Sequence, residues 1–162
     1  MSIAALITWL VTAGFGFFML IRWATRGGVR KVEGAGSNLP AARVFTHFGL
    51  AVAGLILWIV YLVTGNTLLA WIAFADLILI ALLGVLMVRQ WAKDGRIAMA
   101  AAGAQSGAGG AAAGGNPAGG AATGGVDLAE QHIPRPPVVL HGIFAVTTVI
   151  LVLLAALGVG GS

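Results

Sequence analysis

Four apolar stretches separated by polar segments form the main hydrophobic pattern of this 162-residue chain. Each stretch has roughly 20 residues, and a helix of that length at about 1.5 Å per residue covers the roughly 30 Å hydrocarbon core of a bilayer. The pattern therefore predicts an all-α integral membrane protein, a bundle of four transmembrane helices in up-down order. The predicted spans are residues 3–21, 44–64, 68–88 and 138–157.

Composition favours a membrane protein and excludes several kinds of site. The chain is 59% hydrophobic and only 9% charged, whereas about a quarter of the residues of a soluble domain are charged. It contains no cysteine, which excludes disulfides, thiolate metal sites, iron–sulfur clusters and cysteine nucleophiles. The sequence shows no Ser/His/Asp set and no phosphate-binding loop. These observations indicate a non-enzymatic protein.

The basic residues all lie at one end of the predicted bundle, in or beside the two long connectors. None occurs at the N-terminus, at the C-terminus or in the turn at residues 65–67. The positive-inside rule then predicts a multi-pass plasma-membrane protein with both long connectors in the cytoplasm and both termini outside. Because these charges flank apolar spans, we expect the lipid bilayer as the partner of this surface and no nucleic acid. The basic residues are Arg22, Arg26, Arg30, Lys31, Arg43, Arg89, Lys93, Arg96 and Arg135.

The chain divides into four segments. Residues 1–65 form the first two-span hairpin, and residues 66–99 hold the third span with its cytoplasmic end. Residues 100–126 are rich in Ala and Gly and lack apolar periodicity, which predicts a disordered cytoplasmic linker. Residues 127–162 contain the fourth span.

Local signals mark the ends of the spans. Asn38 is predicted to cap the second helix, and Pro40 suits its first turn because no N–H is needed there. Trp23, Trp71 and Trp91 lie at span ends, where aromatic belts form at the membrane surface.

The sequence that begins at Pro40 recurs at Pro134. Both copies show Pro, six residues, His, three residues, Ala-Val, three residues and Ile-Leu. The preceding spans match as well, because the spacing of one set of four residues recurs in another. We therefore expect two parallel copies of a two-helix hairpin. The matching sets are Gly16, Met19, Trp23 and Ala24, and Gly84, Met87, Trp91 and Ala92.

Each copy places one histidine, His47 or His141, near the predicted cytoplasmic face. Small residues follow on the same stripe of each helix and leave room for a neighbouring helix or a flat ligand. In a pseudo-two-fold bundle the two imidazoles could face each other, and neutral imidazole binds haem iron, copper or zinc. The predicted cofactor or metal site is therefore His47 and His141, with haem b as the candidate. The alternative is two interfacial histidines hydrogen-bonded to headgroups or loop carbonyls.

Met19 and Met87 lie at about the same depth as the histidines. Thioether sulfur binds haem iron and Cu(I), so these residues are weaker candidates for a two-His, two-Met metal site. The alternative is that both methionines fill space in the bundle. Gly16 and Gly84, one turn deeper, are interpreted as positions of close helix contact.

Asp76 is the only acidic residue within a predicted span. An intramembrane carboxylate is costly and is a functional candidate for that reason. One hypothesis is a hydrogen bond to Thr8, to Thr12 or to neighbouring backbone. The other is a role in a proton or ion pathway, and the sequence leaves both open.

The Ala/Gly tract, the arginine bias and the phrase VVLHGIFAV at residues 138–146 resemble small four-span proteins of high-GC actinobacteria. The arrangement of two histidines also resembles four-helix b-type cytochromes, which implies haem b as a cofactor. The chain departs from those members that hold two haems with four histidines, since only two histidines lie in its spans. The resemblance therefore implies at most one bis-histidine haem within a monomer.

Three functions are compatible with these features. The first is a non-enzymatic accessory or scaffold subunit of a membrane complex, which the absence of catalytic sets favours. The second is a haem b electron carrier ligated by His47 and His141. The third is a proton-coupled transport component that uses Asp76, which requires assembly with other membrane subunits or a homodimer because four helices are few for a transporter.

Overall fold

The structure, a computed structural model, describes residues 1–29, 35–109 and 127–159. Four helices account for most of these residues, and all four are long and apolar enough to cross a membrane. The predicted all-α architecture with four spans is confirmed, and it is compatible with a polytopic membrane protein. The helices are α1 (Ser2–Thr25), α2 (Ala41–Thr64), α3 (Thr67–Gly109) and α4 (Arg135–Ala156).

Helix α3 is much longer than the predicted third span. It continues to Gly109, so residues 100–109 are helical where disorder is predicted. Alanine has the highest helix propensity and offsets the cost of the interspersed glycines. The rest of the predicted linker, residues 110–126, lies outside the described residues.

Proline rather than asparagine marks the start of α2. The N-cap is Pro40, and no side chain caps the helix. The predicted capping role of Asn38 is wrong, because its Nδ2 donates instead to Oδ1 of Asp94 at 3.1 Å. At its other end α2 stops at Gly65, whose φ of +68° is in the left-handed region that glycine adopts readily.

The four helices form a ring in which neighbours are antiparallel. Helix α1 packs mainly against α4, and α2 packs mainly against α3, whereas the α1–α2 and α3–α4 contacts are less extensive. The residues that face each other show that α2 and α3 are antiparallel. His47 lies beside Gly84, whereas Gly54, which comes later in α2, lies beside Asp76, which comes earlier in α3. Helices α2 and α4, which carry the two histidines, are therefore diagonal to each other.

We call the end of the bundle with the chain termini and the α2–α3 turn the terminal end, and the opposite end the connector end. The terminal half contains a core in which Nε1 of Trp58 donates to the Ser2 carbonyl at 3.3 Å. Ala5 and Ala73, which are fully buried, let α1 and α3 approach the core closely. This terminal cluster consists of Ala5, Trp9, Trp58, Ala70, Ala73, Leu77, Ile80, Val152, Ala155 and Ala156.

A second apolar cluster closes the connector end, and it contains Trp23, Leu39, Val44 and Ala129. Trp23 is only 2% exposed, and its Nε1 donates to Oγ of Ser37 at 2.8 Å. The prediction that Trp23 belongs to an interfacial aromatic belt is wrong, because the α1–α2 connector folds back over the indole.

The two connectors also contact each other at this end. The two-residue strands β1 (Ala35–Gly36) and β2 (Asp127–Leu128) pair in parallel, and a 3₁₀ turn at Ala129–His132 follows. The fully buried Glu130 accepts a hydrogen bond from the backbone N–H of Asn38 at 2.7 Å. Asp94 accepts bonds from Asn38 and from Gln90. Asn38 therefore links the first connector to both α3 and the turn.

Replacing Glu130 with alanine is expected to destabilise the connector end by about 1–3 kcal/mol, because the Asn38 N–H would lose its acceptor and the fully buried side chain would leave a cavity. Thermal unfolding in detergent should show a midpoint several degrees lower than that of the wild type. Gln131→Ala, at the exposed neighbouring residue, is the matched control and should leave the midpoint unchanged. Equal midpoints for the two variants would show that the Glu130 contact contributes nothing.

Large apolar side chains cover the outside of the bundle. Val63 is 82% exposed, Leu68 is 64% exposed and Ile3 is 62% exposed. Contiguous apolar surface on this scale is rare on soluble monomers and is typical of lipid-facing helices. His47, Asp76, His141 and Thr148 are partly or fully buried within the spans, so a site formed by these side chains lies inside the bundle.

Candidate functional site

His47 and His141 face each other across the bundle. Their ring centres are 6.3 Å apart, and the ring planes are inclined by 49°. Both side chains are partly buried. They reach the same depth from diagonal helices because α2 and α4 run in the same direction. The structure thus brings together the two residues that the sequence predicts as a site.

A backbone carbonyl of α1 fixes the ring of His141. Its Nδ1 lies 2.9 Å from the carbonyl oxygen of Thr12. A carbonyl only accepts hydrogen bonds, so Nδ1 must carry the proton, and in the neutral ring Nε2 has the free electron pair. Metal-binding histidines are oriented in this way by a hydrogen bond to the other ring nitrogen.

His47 has an equivalent but looser arrangement. The carbonyl of Ile80 on α3 is the backbone acceptor next to the His47 ring, yet the geometry falls short of a hydrogen bond and Nδ1 is buried without a partner. Thr12 and Ile80 are 68 residues apart, the same offset that relates Gly16 to Gly84. Each histidine therefore faces a carbonyl at the matching position of its neighbouring helix.

A glycine lies against each imidazole. A side-chain carbon at Gly16 would be 3.0 Å from Cε1 of His141, and one at Gly84 would be 3.3 Å from Cε1 of His47. In a helix the carbonyl of one residue lies next to the residue four positions later. Thr12 precedes Gly16 by four positions, and Ile80 precedes Gly84 by four. Because glycine has no side chain, Gly16 and Gly84 leave space for each imidazole to approach the carbonyl on the neighbouring helix.

The histidine pair lies between the two apolar clusters. On α2, Val44 belongs to the connector-end cluster and Leu50 packs against the terminal cluster, with His47 between them in sequence. Beyond the connector-end side of the pair, Arg22 on α1 has a buried Nε without a partner. Its Nη2 donates to the His132 carbonyl at 3.4 Å. The pair is therefore flanked by apolar residues on both sides along α2, and one buried guanidinium nitrogen without a partner lies toward the connector end.

The described residues contain no group of three or more His, Cys, Asp or Glu side chains that could hold a metal ion. The histidine pair is thus a two-nitrogen donor set, which suits a metal that is otherwise coordinated by its own cofactor. Met87 packs against the connector-end cluster, and Met19 is partly buried on α1. Ligation by either methionine stays a prediction.

Asp76 lies nearer the terminal end and makes no hydrogen bond to any described residue. Its Oδ2 is buried without a partner and lies against the backbone of Gly54, where a side-chain carbon would overlap it. The hypothesis of a bond to Thr8 or Thr12 is wrong. The Thr8 hydroxyl accepts a bond from Thr148 at 3.0 Å, because α1 packs against α4 whereas α3 packs against α2.

Comparison of the chain with protein-family models, with curated proteins and with solved structures finds no match.

Sequence reasoning did not identify several contributors to this site. The Thr12 and Ile80 carbonyls have no signature in the sequence, because every residue has a carbonyl. The glycines were visible as a repeated spacing, but the pattern did not show that an imidazole would occupy the space. The sequence indicated Arg22 only as one of four arginines that could contact anionic headgroups or haem propionates, and nothing in the pattern separated it from Arg43, Arg89 and Arg135.

Proposed function

We propose that this chain is a multi-pass plasma-membrane protein that binds one haem b between His47 and His141 and carries electrons within a membrane complex. The observation that carries the proposal is the separation of the two rings, 6.3 Å between centres across the bundle. Two imidazoles that bind one metal ion from opposite sides, at about 2 Å per metal–nitrogen bond, have ring centres roughly 6 Å apart.

The donor set fits haem better than a bare metal ion. Structural zinc sites have four protein ligands, whereas the described residues offer two nitrogens here. A haem iron already has four ring nitrogens and takes two axial ligands from the protein, so two histidines complete its coordination. When bound, the haem supplies a reversible one-electron couple.

Two pairs of helices would enclose the haem, one pair on each side. Helices α1 and α4 form one wall with Gly16 and His141, and helices α2 and α3 form the other with Gly84 and His47. The proposed duplication of a two-helix hairpin accounts for this equivalence, since each wall combines one helix from each copy. The glycines allow both rings to turn their Nε2 atoms away from the walls.

Arg22 would bind the anionic edge of the group. It follows Gly16 by six residues, or roughly 9 Å along α1 at 1.5 Å per residue, toward the connector end. A buried guanidinium nitrogen without a partner is unfavourable, and a carboxylate such as a haem propionate would satisfy it. The polar edge of the haem would then point to the connector end.

An absorption spectrum of the full chain tests the proposal most directly. The protein is purified in mild detergent from a haem-replete membrane and analysed in parallel for iron, copper and zinc. We expect a Soret band with one haem per chain. A colourless protein without bound metal after gentle purification would contradict the proposal and favour the scaffold hypothesis. Stoichiometric copper or zinc without a Soret band would also contradict it.

Topology is a further part of the proposal, with the connector end in the cytoplasm. Because the sequence contains no cysteine, a single introduced cysteine is the only thiol of the protein that a labelling reagent can modify. A membrane-impermeant maleimide added to intact cells should label Asn66→Cys at the terminal end. It should label Arg26→Cys at the connector end only after permeabilisation. The opposite pattern would place the connectors outside and contradict the positive-inside interpretation.

A further inference from the structure

The carboxyl group of Asp76 has no polar partner in its layer of the bundle. The residues of that layer are Thr8 and Trp9 from α1, Gly54 from α2 and Thr148 from α4. Thr8 and Thr148 bond to each other, and Trp9 lies against Gly54. None of these side chains is charged.

Asp76 is on the face of α3 that adjoins the histidine site. Asp76, Ile80 and Gly84 follow one another at intervals of four residues, so they share one side of the helix. Ile80 presents its carbonyl to His47, and Gly84 contacts the ring. At about 1.5 Å per residue, Asp76 lies roughly 6–12 Å along the axis from these contacts. The terminal cluster fills the space around this path with apolar side chains.

Charge at the histidine site therefore acts on Asp76 through a poorly screening medium. The titratable groups next along the bundle are His47 and His141 on the connector side and Tyr61, which packs against the terminal cluster, on the other side. No Lys or Arg lies at the depth of Asp76 in any of the four helices. Electrostatic interactions over such distances are much stronger in a protein interior than in water. A redox centre held by the histidines has one positive charge more when it is oxidised than when it is reduced.

We infer that Asp76 is a proton-binding group coupled to electron transfer at the His47–His141 site. The inference rests on the proposed haem function and adds a second site to it. In the oxidised state the extra positive charge stabilises the Asp76 carboxylate. When a one-electron donor reduces the centre, the carboxylate would bind one proton from the solvent and become the neutral acid. One electron and one proton are taken up, so the net charge of the bundle does not change.

The direction of the pH dependence follows from this exchange. Reduction binds a proton, so reduction becomes harder as protons become scarcer. The midpoint potential is expected to fall as the pH rises in the range where the Asp76 carboxyl exchanges its proton. Oxidation reverses the exchange and releases the proton.

The test is a redox titration of the haem-loaded full chain at an electrode, repeated across a series of pH values. Wild type and Asp76→Glu should show a potential that falls with pH. Asp76→Asn, which keeps the shape but cannot ionise, should show a pH-independent potential. Thr8→Val removes a hydroxyl from the same layer without removing a titrating group, and it should behave as wild type. The haem content of each variant shows whether its fold is retained.

Infrared difference spectra, reduced minus oxidised, provide a readout that does not depend on the potential. Reduction of the wild type should produce the C=O stretching band of a protonated carboxyl, and this band should be absent from Asp76→Asn and present in Thr8→Val. If haem binds and neither the band nor the pH dependence changes in Asp76→Asn, the inference is overturned while the proposed function stands. If wild-type protein binds no haem, both are overturned.

Discussion

Replacement of His47 or His141 by alanine is expected to abolish the Soret band of the purified protein. In the proposed site each ring would supply one of the two ligands that the protein gives to the iron, and no other His, Cys, Asp or Glu among the described residues forms a metal-binding group with the pair. Loss of groups that only orient a ligand typically costs 10–100-fold in metal affinity. Loss of the ligand itself should exceed this, about 100-fold or more, and leave no haem after purification.

His132→Ala is the matched control for the histidine variants. His132 lies in the 3₁₀ turn at the connector end, where its Nδ1 is 3.3 Å from the Leu128 carbonyl. Its removal should leave the haem content at the wild-type level. Retention of a normal Soret band in either His47→Ala or His141→Ala would rule out bis-histidine ligation by this pair. Equal loss in all three variants would instead indicate a general folding defect.

The second large effect is expected at Gly16. In Gly16→Ala the added methyl carbon would lie 3.0 Å from Cε1 of His141, which is too close for unstrained packing. The ring would have to shift by a few tenths of an ångström, which would weaken its hydrogen bond to the Thr12 carbonyl and turn its Nε2 away from its present direction. We expect haem affinity to fall about 10–100-fold, and titration of apoprotein with haem would measure it. Gly84→Ala should have a smaller effect, because the corresponding distance is 3.3 Å.

Gly14→Ala separates this effect from a general response of α1 to alanine. A side-chain carbon at Gly14 would have no atom within 4 Å outside its own helix backbone. Alanine is favoured over glycine in helices by up to about 1 kcal/mol, so this variant should bind haem normally and be at least as stable as wild type. If Gly16→Ala binds haem as tightly as Gly14→Ala, the glycine does not provide space for the imidazole.

Much of the fold was predictable because it depends on local properties of the sequence, namely the length of each apolar stretch and the spacing of residues within it. The length of an apolar stretch decides whether a helix can cross the hydrocarbon core, so all four spans could be located. The equal depth of His47 and His141 followed from counting residues from matching prolines. The helical extension over residues 100–109 could not be deduced, because alanine favours a helix and glycine opposes it in the same tract.

Other contacts depended on which helices pair and how each is rotated about its axis. The sequence pattern suggested Thr8 or Thr12 as partners for Asp76, but α3 pairs with α2 and α1 pairs with α4. The burial of Trp23 and the bond from Asn38 to Asp94 depend likewise on how the connectors fold over the bundle end. Neither is a property of the local sequence.

The sequence by itself determined the number of helices, the one-sided distribution of basic residues and the repeated placement of one histidine. Only the tertiary structure decided that the two rings face each other 6.3 Å apart and that Thr12 anchors one of them. The physical reason is that lipid is as apolar as the interior of the bundle. Hydrophobicity therefore does not tell which side of a spanning helix faces its neighbours, and close packing and hydrogen bonds between helices make that choice.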